Sequence, residues 1–318
     1  MRIIFMGTPE FSVGTLEALA AAGHDVCLAV TQPDKPKGRG KEMQPTPVKA
    51  AAQKLGIPVY QPRRIREPEC VEELRKYHAD VMVVIAFGQI LPKEILELTP
   101  YGCINVHASL LPKYRGAAPI QWSIIEGERV TGVTTMQMDE GLDTGDMIMK
   151  TEIPIAADET GDSLHDKLAQ AGARLCVETL EAVKNGTAVF EKQGESPTAY
   201  ARMLDKKMGN IDWQEPAVRI ERLVRGLNSW PGTYTHWDGK VMKIWRAAAE
   251  PGRAADGENG TAAPGTVVDV EKDSFAVQTG DGLLRVYELQ IPGKKRMETG
   301  AFLRGYALEK GTIFSQQS

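Results

Sequence analysis

Ala79-Asp80-Val81-Met82-Val83-Val84-Ile85-Ala86 is a run of eight residues in which only Asp80 is polar. A short, continuous apolar segment of this kind fits a strand covered by helices on both faces, so it is expected at the centre of a parallel sheet. Outward from it, Ile3–Met6, Val26–Thr31, Ile104–His107 and Val133–Met138 are further strand-like runs separated by amphipathic stretches. That rhythm is the one βαβ units produce on a mostly parallel, Rossmann-like sheet. Between Ser163 and Val183, the residues Leu164, Leu168, Ala171, Leu175, Val177 and Leu180 recur at helical spacing and close this first domain.

A polar stretch from Lys184 to about Ala201 follows and reads as a linker. Beyond it, one helix around Ala217–Leu227 precedes short strand-like runs at Gly232–Trp237, Val241–Arg246, Gly265–Val270, Ser274–Thr279 and Leu283–Gln290. Short strands joined by turns such as Asp238-Gly239 and Asp281-Gly282 point to a small β-barrel of the oligonucleotide-binding (OB-like) kind. The expected fold class is therefore α/β, with a first domain over 1–188, a linker over 189–205 and a barrel domain over 206–318.

Composition agrees with that division. A chain of 318 residues with 42% apolar content is longer than one core usually organises. No run approaches the roughly 18 apolar residues a membrane helix needs, and Arg2-Ile3-Ile4-Phe5 enters a strand pattern instead of a signal peptide, so a cytoplasmic protein is expected. Cys27, Cys70, Cys103 and Cys176 are widely spaced, which suggests neither a disulfide framework nor a zinc site. The formal charge of −4 argues against indiscriminate nucleic-acid binding. It is unevenly spread: 16 Lys and Arg stand against 14 Asp and Glu from Lys206 onward, and 22 against 28 before it.

The first strand-to-helix turn, Gly7-Thr8-Pro9-Glu10-Phe11, has one glycine, and no G-x-G-x-x-G or G-x-x-x-x-G-K-[ST] follows any strand. A dinucleotide or P-loop site is weakly supported. Cys103-Ile104-Asn105-Val106-His107 carries more information. Alternation sends Ile104 and Val106 to one face and Asn105 and His107 to the other, at the carboxyl end of a strand where open α/β sheets bind their ligands. Two features follow it: a loop stiffened by Pro112 and Pro119, and an acid-rich turn, Asp139-Glu140-Gly141-Leu142-Asp143-Thr144-Gly145-Asp146. The turn lacks calcium-loop spacing, and no metal is expected there.

An Asn, a His and an Asp at the ends of neighbouring strands suit attack of an amine on a carbonyl. Asn105 and a protonated His107 would stabilise the oxyanion while Asp143 orients His107 and relays a proton. Ser109 lacks the nucleophile-elbow context, which favours direct transfer over a covalent enzyme intermediate.

Asn105-Val106-His107-Ala108-Ser109-Leu110-Leu111-Pro112 with Arg115-Gly116, and then Asp143-Thr144-Gly145-Asp146, resembles the signature of the formyltransferases that use 10-formyltetrahydrofolate. The resemblance implies catalytic roles for Asn105, His107 and Asp143 and folate binding by Ser109, Leu110, Leu111 and Pro112, with 10-formyltetrahydrofolate as co-substrate. Phe5–Phe11, Thr31–Asp34, Gly38–Lys41 and Asn228–Pro231 extend the likeness over nearly the whole chain, to the branch whose acceptor is methionyl initiator tRNA. Glycinamide ribonucleotide formyltransferases resemble the first domain alone. For a tRNA acceptor, the resemblance and the basic residues together single out Arg39 and Lys41 in the long irregular connection Gln32–Pro47, and Lys206 and Lys207 at the start of the barrel domain. Arg219, Arg222 and Arg225 on one helix and Lys294-Lys295-Arg296 add further basic clusters. The rivals are the same chemistry on a sugar nucleotide or water, and a noncatalytic RNA-binding protein, for which Asn105, His107 and Asp143 would have no use.

Overall fold

A computed structural model describes residues 1–37, 42–251 and 262–315. The chain forms two compact units, one made of Met1–Pro119, Val130–Pro154 and His165–Ala201, the other of Ile120–Arg129, Ile155–Leu164 and the chain from Arg202 onward.

The first unit is built on a seven-stranded sheet. In chain order the elements up to residue 184 are β1 (Arg2–Gly7), α1 (Val13–Ala21), β2 (Asp25–Val30), β3 (Lys35–Lys37), β4 (Glu42–Gln44), α2 (Pro47–Lys54), β5 (Val59–Tyr60), α3 (Pro68–Arg75), β6 (Val81–Ile85), α4 (Lys93–Leu96), β7 (Cys103–His107), α5 (Pro119–Ile125), β8 (Val130–Gln137), β9 (Met147–Pro154) and α6 (Gly161–Lys184); of these, α5 from Ile120 onward and α6 up to Leu164 belong to the second unit. The strand order is β5-β2-β1-β6-β7-β8-β9. Pairing is parallel from β5 to β7 and antiparallel from β7 to β9. β6 is buried at every position and lies in the middle, as its unbroken apolar run requires.

The sheet is mostly parallel, as expected, with an antiparallel end, whereas the 32–47 connection is less irregular than expected. β8 runs against β7, and β9, whose burial alternates along its outer half, forms the edge. The connection itself carries a two-stranded ladder, with Lys35 opposite Gln44 and Pro36 opposite Met43.

α6 fixes which face of β7 is free. A Cβ at Gly172 would stand 3.0 Å from Val106 Cγ1, so the absence of a side chain there lets the helix approach β7 closely. Thr179 and Thr135 share a buried hydroxyl bond at 2.8 Å between α6 and β8. Ile104 and Val106 therefore face α6, and Asn105 and His107 face the opposite side.

The second unit contains α7 (Ala217–Gly226), β10 (Thr233–Trp237), β11 (Lys240–Glu250), β12 (Val267–Val270), β13 (Phe275–Gln278), β14 (Leu283–Gln290), β15 (Met297–Glu298) and α8 (Thr299–Gly305). Its antiparallel sheet has the order β10-β11-β14-β13-β12, with β15 on β14. The last described residues join the two ends of that order: Ser315 and His236 exchange backbone bonds, and Phe314 N donates to Gly265 O at 2.8 Å. Closure removes the exposed edges that an open antiparallel sheet would leave. The core inside includes Trp213, Ile244, Phe275, Val286, Phe302 and Phe314.

All four cysteines are free and buried. Burial pushes the Cys103 and Cys176 thiols up to about 12, so neither supplies thiolate near neutrality. A thiol reagent at pH 8 should leave both unlabelled in the native protein and modify them on unfolding, as peptide mass mapping would reveal. Labelling of either before unfolding contradicts this packing.

Candidate active site

β7 delivers Asn105 and His107 in a buried setting, at 9% and 6% exposure. Among the described residues no hydrogen bond engages the Asn105 side chain, which leaves its amide for a ligand. His107 Nε2 lies 3.0 Å from Tyr114 O. A carbonyl oxygen only accepts, so this contact places a proton on Nε2. Nδ1 is then the nitrogen facing the Asp143 carboxylate, 3.8 Å away.

Asp143 reaches this position by a route that the order of strands alone does not reveal. Because β8 is antiparallel, it ends opposite Ile104, at the amino end of β7, and the 138–146 loop starts there. The loop then doubles back along the open face until Asp143 meets His107. Gln137 N donates to Asp146 O at 2.8 Å and closes it. Asp143 itself sits at φ 57°, and its Oδ2 accepts from Gly116 N at 2.9 Å. The three residues singled out from sequence are thus brought to one face, Asp143 by a folded-back loop and not by a shared strand edge.

A cleft of about 160 Å³ adjoins Asp143, lined by Gln89, Ile90, Leu91, Met136, Met138, Leu142 and neighbouring loop residues. Ile90 and Leu142 are large apolar side chains left mostly exposed at its rim. Ser109, Leu110, Leu111 and Pro112 do not line it. Ser109 and Leu111 are buried, with Ser109 Oγ donating to Lys113 O at 2.6 Å and Leu111 N donating to Thr134 Oγ1 at 3.1 Å. Leu110 and Pro112 are half-buried on the same loop. A roomier cleft of about 450 Å³, bordered by Thr8, Glu10, Gln32, Lys35, Pro47 and Lys54, contains none of Asn105, His107 and Asp143.

Arg115 binds Gln193 and the carbonyl of Gly194. Burial, and after it the nearby Asp143 charge, push the Tyr200 phenol up, which places another aromatic group beside the site. Gln89, Gln193 and Tyr200 lie in no motif, and only spatial proximity singles them out; Leu142 lies within the acid-rich turn. Among the described residues no group of three or more His, Cys, Asp or Glu side chains is placed to hold a metal ion.

Of the basic residues, Arg39 and Lys41 lie outside the described residues. Lys206 and Lys207 are exposed on a 3-10 turn capped by Asp205, and neither ammonium has an ion-pair partner among the described residues. Of the α7 arginines, Arg219 is exposed while Arg222 and Arg225 are half-buried, and all three are engaged within their own unit. Arg225 pairs with Glu221 and donates to Glu159 O, Arg219 pairs with Glu126 and Glu215, and Arg222 packs against Gly127.

Comparison with known proteins bears directly on this site. Residues 1–180 match the formyl transferase family and 203–307 match the formyl transferase C-terminal domain. A methionyl-tRNA formyltransferase from Agathobacter rectalis is 57% identical, over 99% of this chain and 100% of its own length. Another from Lachnospira eligens is 52% identical over 99% and 100%. The chain belongs to the methionyl-tRNA formyltransferase family. The resemblance read from the Asn105–Pro112 and Asp143–Asp146 motifs is thereby borne out, and the protein is a formyl-transferring enzyme. WlaRD, a sugar 3N-formyl transferase crystallised in the presence of dTDP and 5-N-formyl-THF, shares the fold: TM-score 0.67 at 18% identity, over 93% of this chain and 99% of that one. The match to glycinamide ribonucleotide transformylase 1 from Symbiobacterium toebii (TM-score 0.51, 18% identity) covers 61% of this chain and 94% of that one, so a methionyl-tRNA formyltransferase-like chain extends well beyond it.

Proposed function

We propose that the chain moves the formyl group of 10-formyltetrahydrofolate to the α-amine of methionine esterified to initiator tRNA, in the cytoplasm, with Asn105, His107 and Asp143 as the catalytic residues. The observation that carries this reading is the convergence of an unengaged buried amide, an imidazole with one nitrogen fixed, and a carboxylate on one face of β7. No helix of the described residues is long and apolar enough to cross a membrane.

Binding places the formyl carbonyl between Asn105 and His107. The neutral amine attacks the formyl carbon, and its electron pair forms the new C–N bond while the carbonyl π electrons move to oxygen. Asn105 and a proton on His107 Nδ1 meet that developing charge inside a buried pocket, where fixed donors act most strongly. Asp143 stabilises the imidazolium and relays the proton lost by the amine towards the departing folate nitrogen. Tetrahydrofolate leaves when the bond between its nitrogen and the formyl carbon breaks.

The exposed rims Ile90 and Leu142 and the apolar floor formed by Met136 and Met138 support seating the folate ring in the cleft beside Asp143. Ser109, Leu110, Leu111 and Pro112 are proposed to lie against the folate, Leu110 and Pro112 by their side chains and the two buried residues by shaping the loop.

On the acceptor side, Arg39, Lys41, Lys206 and Lys207 are proposed to contact tRNA phosphates. The ammonium groups of Lys206 and Lys207, without an ion-pair partner among the described residues, support this, and the α7 arginines, of which Arg219 and Arg225 are ion-paired, are left out of it. Removing one phosphate contact lowers the slope of log affinity against log salt by about 0.9. Arg39→Ala is thus expected to weaken tRNA binding and flatten its salt dependence while folate binding stays unchanged. Filter binding across a salt series measures this, and an unaltered slope would place Arg39 among idle surface charges.

A further inference from the structure

The chain from Asn185 to Ala201 is polar, carries no helix, and is laid across two loops of its own unit. Near one end, Glu191 and Met147 exchange backbone bonds at 2.8 Å. At the other, Ala201 N donates to Arg115 O at 2.7 Å and Ala201 O accepts from Ala117 N at 2.8 Å. Thr198 Oγ1 accepts from Tyr114 N at 2.8 Å, on the residue whose carbonyl takes His107 Nε2.

One side chain between these anchors spans both loops. Gln193 Nε2 donates to Asp143 O at 2.9 Å and to Gly145 O at 2.7 Å. Gln193 Oε1 accepts from Arg115 Nε at 3.0 Å and Nη2 at 2.8 Å. A primary amide has two N–H donors and two lone pairs on oxygen, so this one uses its whole capacity on the loops that carry the site. Its donors grip the carbonyls on either side of Thr144, in the turn where Asp143 sits at φ 57°. A non-glycine residue holds that backbone conformation only when its surroundings fix it.

We infer that Gln193 is a positioning residue for formyl transfer: it holds the 143–145 turn so that the Asp143 carboxylate faces His107, and it ties that turn to the 108–118 loop through Arg115. The inference rests on the catalytic reading of Asp143. Every partner of Gln193 named above is a loop residue, and its effect passes through Asp143.

Gln193→Glu tests this without changing side-chain size. It keeps an acceptor for Arg115 and loses both N–H donors to the loop carbonyls. Its kcat is expected to fall on the order of tenfold, a smaller loss than a displacement of about 1 Å produces, with KM for folate and tRNA within about twofold and an unchanged thermal midpoint. Gln193→Ala, which also frees Arg115, is expected to lose at least as much. In an Asp143→Ala background Gln193→Glu should add less than about twofold, since two residues acting as one unit are not additive. Wild-type kcat in Gln193→Glu, or the same tenfold loss in the Asp143→Ala background, overturns the inference. Wild-type turnover in Asp143→Ala itself would overturn the reading of Asp143 beneath it.

Discussion

His107→Ala should lower kcat by at least about a hundredfold while the protein stays folded, because the lost group stabilises charge that exists only in the transition state. The imidazole is buried, with Nε2 held by Tyr114 O and Nδ1 facing Asp143 at 3.8 Å. Removing it strands one carbonyl, at a cost of roughly 1–3 kcal/mol, a minor share of a stability of about 5–15 kcal/mol. KM for the folate should move little, since no ground-state contact with the ring is assigned to His107. Steady-state kinetics beside circular dichroism and a thermal melt decide the matter: a folded variant within tenfold of wild-type kcat contradicts the role given to this side chain.

Gly145→Ala is expected to be nearly as damaging to turnover, although residue 145 touches no reacting atom. A Cβ there would lie 1.7 Å from the carbonyl oxygen of Gln137, which is backbone and cannot rotate away. The loop must shift by an ångström or more to accommodate a methyl group. Asp143 is carried on the same turn, and a misplacement of about 1 Å typically costs on the order of a hundredfold in rate. The variant should combine a loss of kcat of that order with a lowered thermal midpoint, whereas Gly194→Ala, where an added Cβ meets nothing within 4 Å, should change neither. Undiminished kcat in Gly145→Ala would mean that the turn does not hold Asp143 in its working position.

The parts of this molecule governed by local pattern were readable in advance. The unbroken apolar run of β6 placed it at the sheet centre, and the alternation of Asn105 and His107 put both on the face away from α6. Strand direction is not a local property: β8 reads the same parallel or antiparallel, yet its direction decides that the Asp143 loop must double back along β7. β9 is not legible as a strand because Lys150 and Glu152 interrupt its apolar positions, as suits an edge strand exposed to water. On α7 the three-residue spacing of Arg219, Arg222 and Arg225 is legible but the neighbours of Arg219 and Arg222 are not, since Glu126 and Gly127 approach from a distant part of the sequence. Gln193 sits in a polar stretch whose composition matches any solvated connection, and its hydrogen bonds to Asp143, Gly145 and Arg115 arise only once two loops remote in sequence are brought beside it.

The division between the two units gives the chemistry and the choice of acceptor separate supports. Asn105, His107 and Asp143 belong to the sheet unit, and Lys206 and Lys207 to the unit containing the barrel. Substitutions in the first set should change kcat with any acceptor, while those in the second should change only the response to tRNA.

The most direct test is a single-turnover experiment in which enzyme in excess is mixed with formyl-labelled 10-formyltetrahydrofolate and methionyl initiator tRNA, and the label is followed by rapid quench. The expected result is label passing in one kinetic phase from the folate to the methionine amine, with none on the protein at any time. Label on the protein, or released as formate while the tRNA stays unformylated, would contradict direct transfer to the tRNA-borne amine.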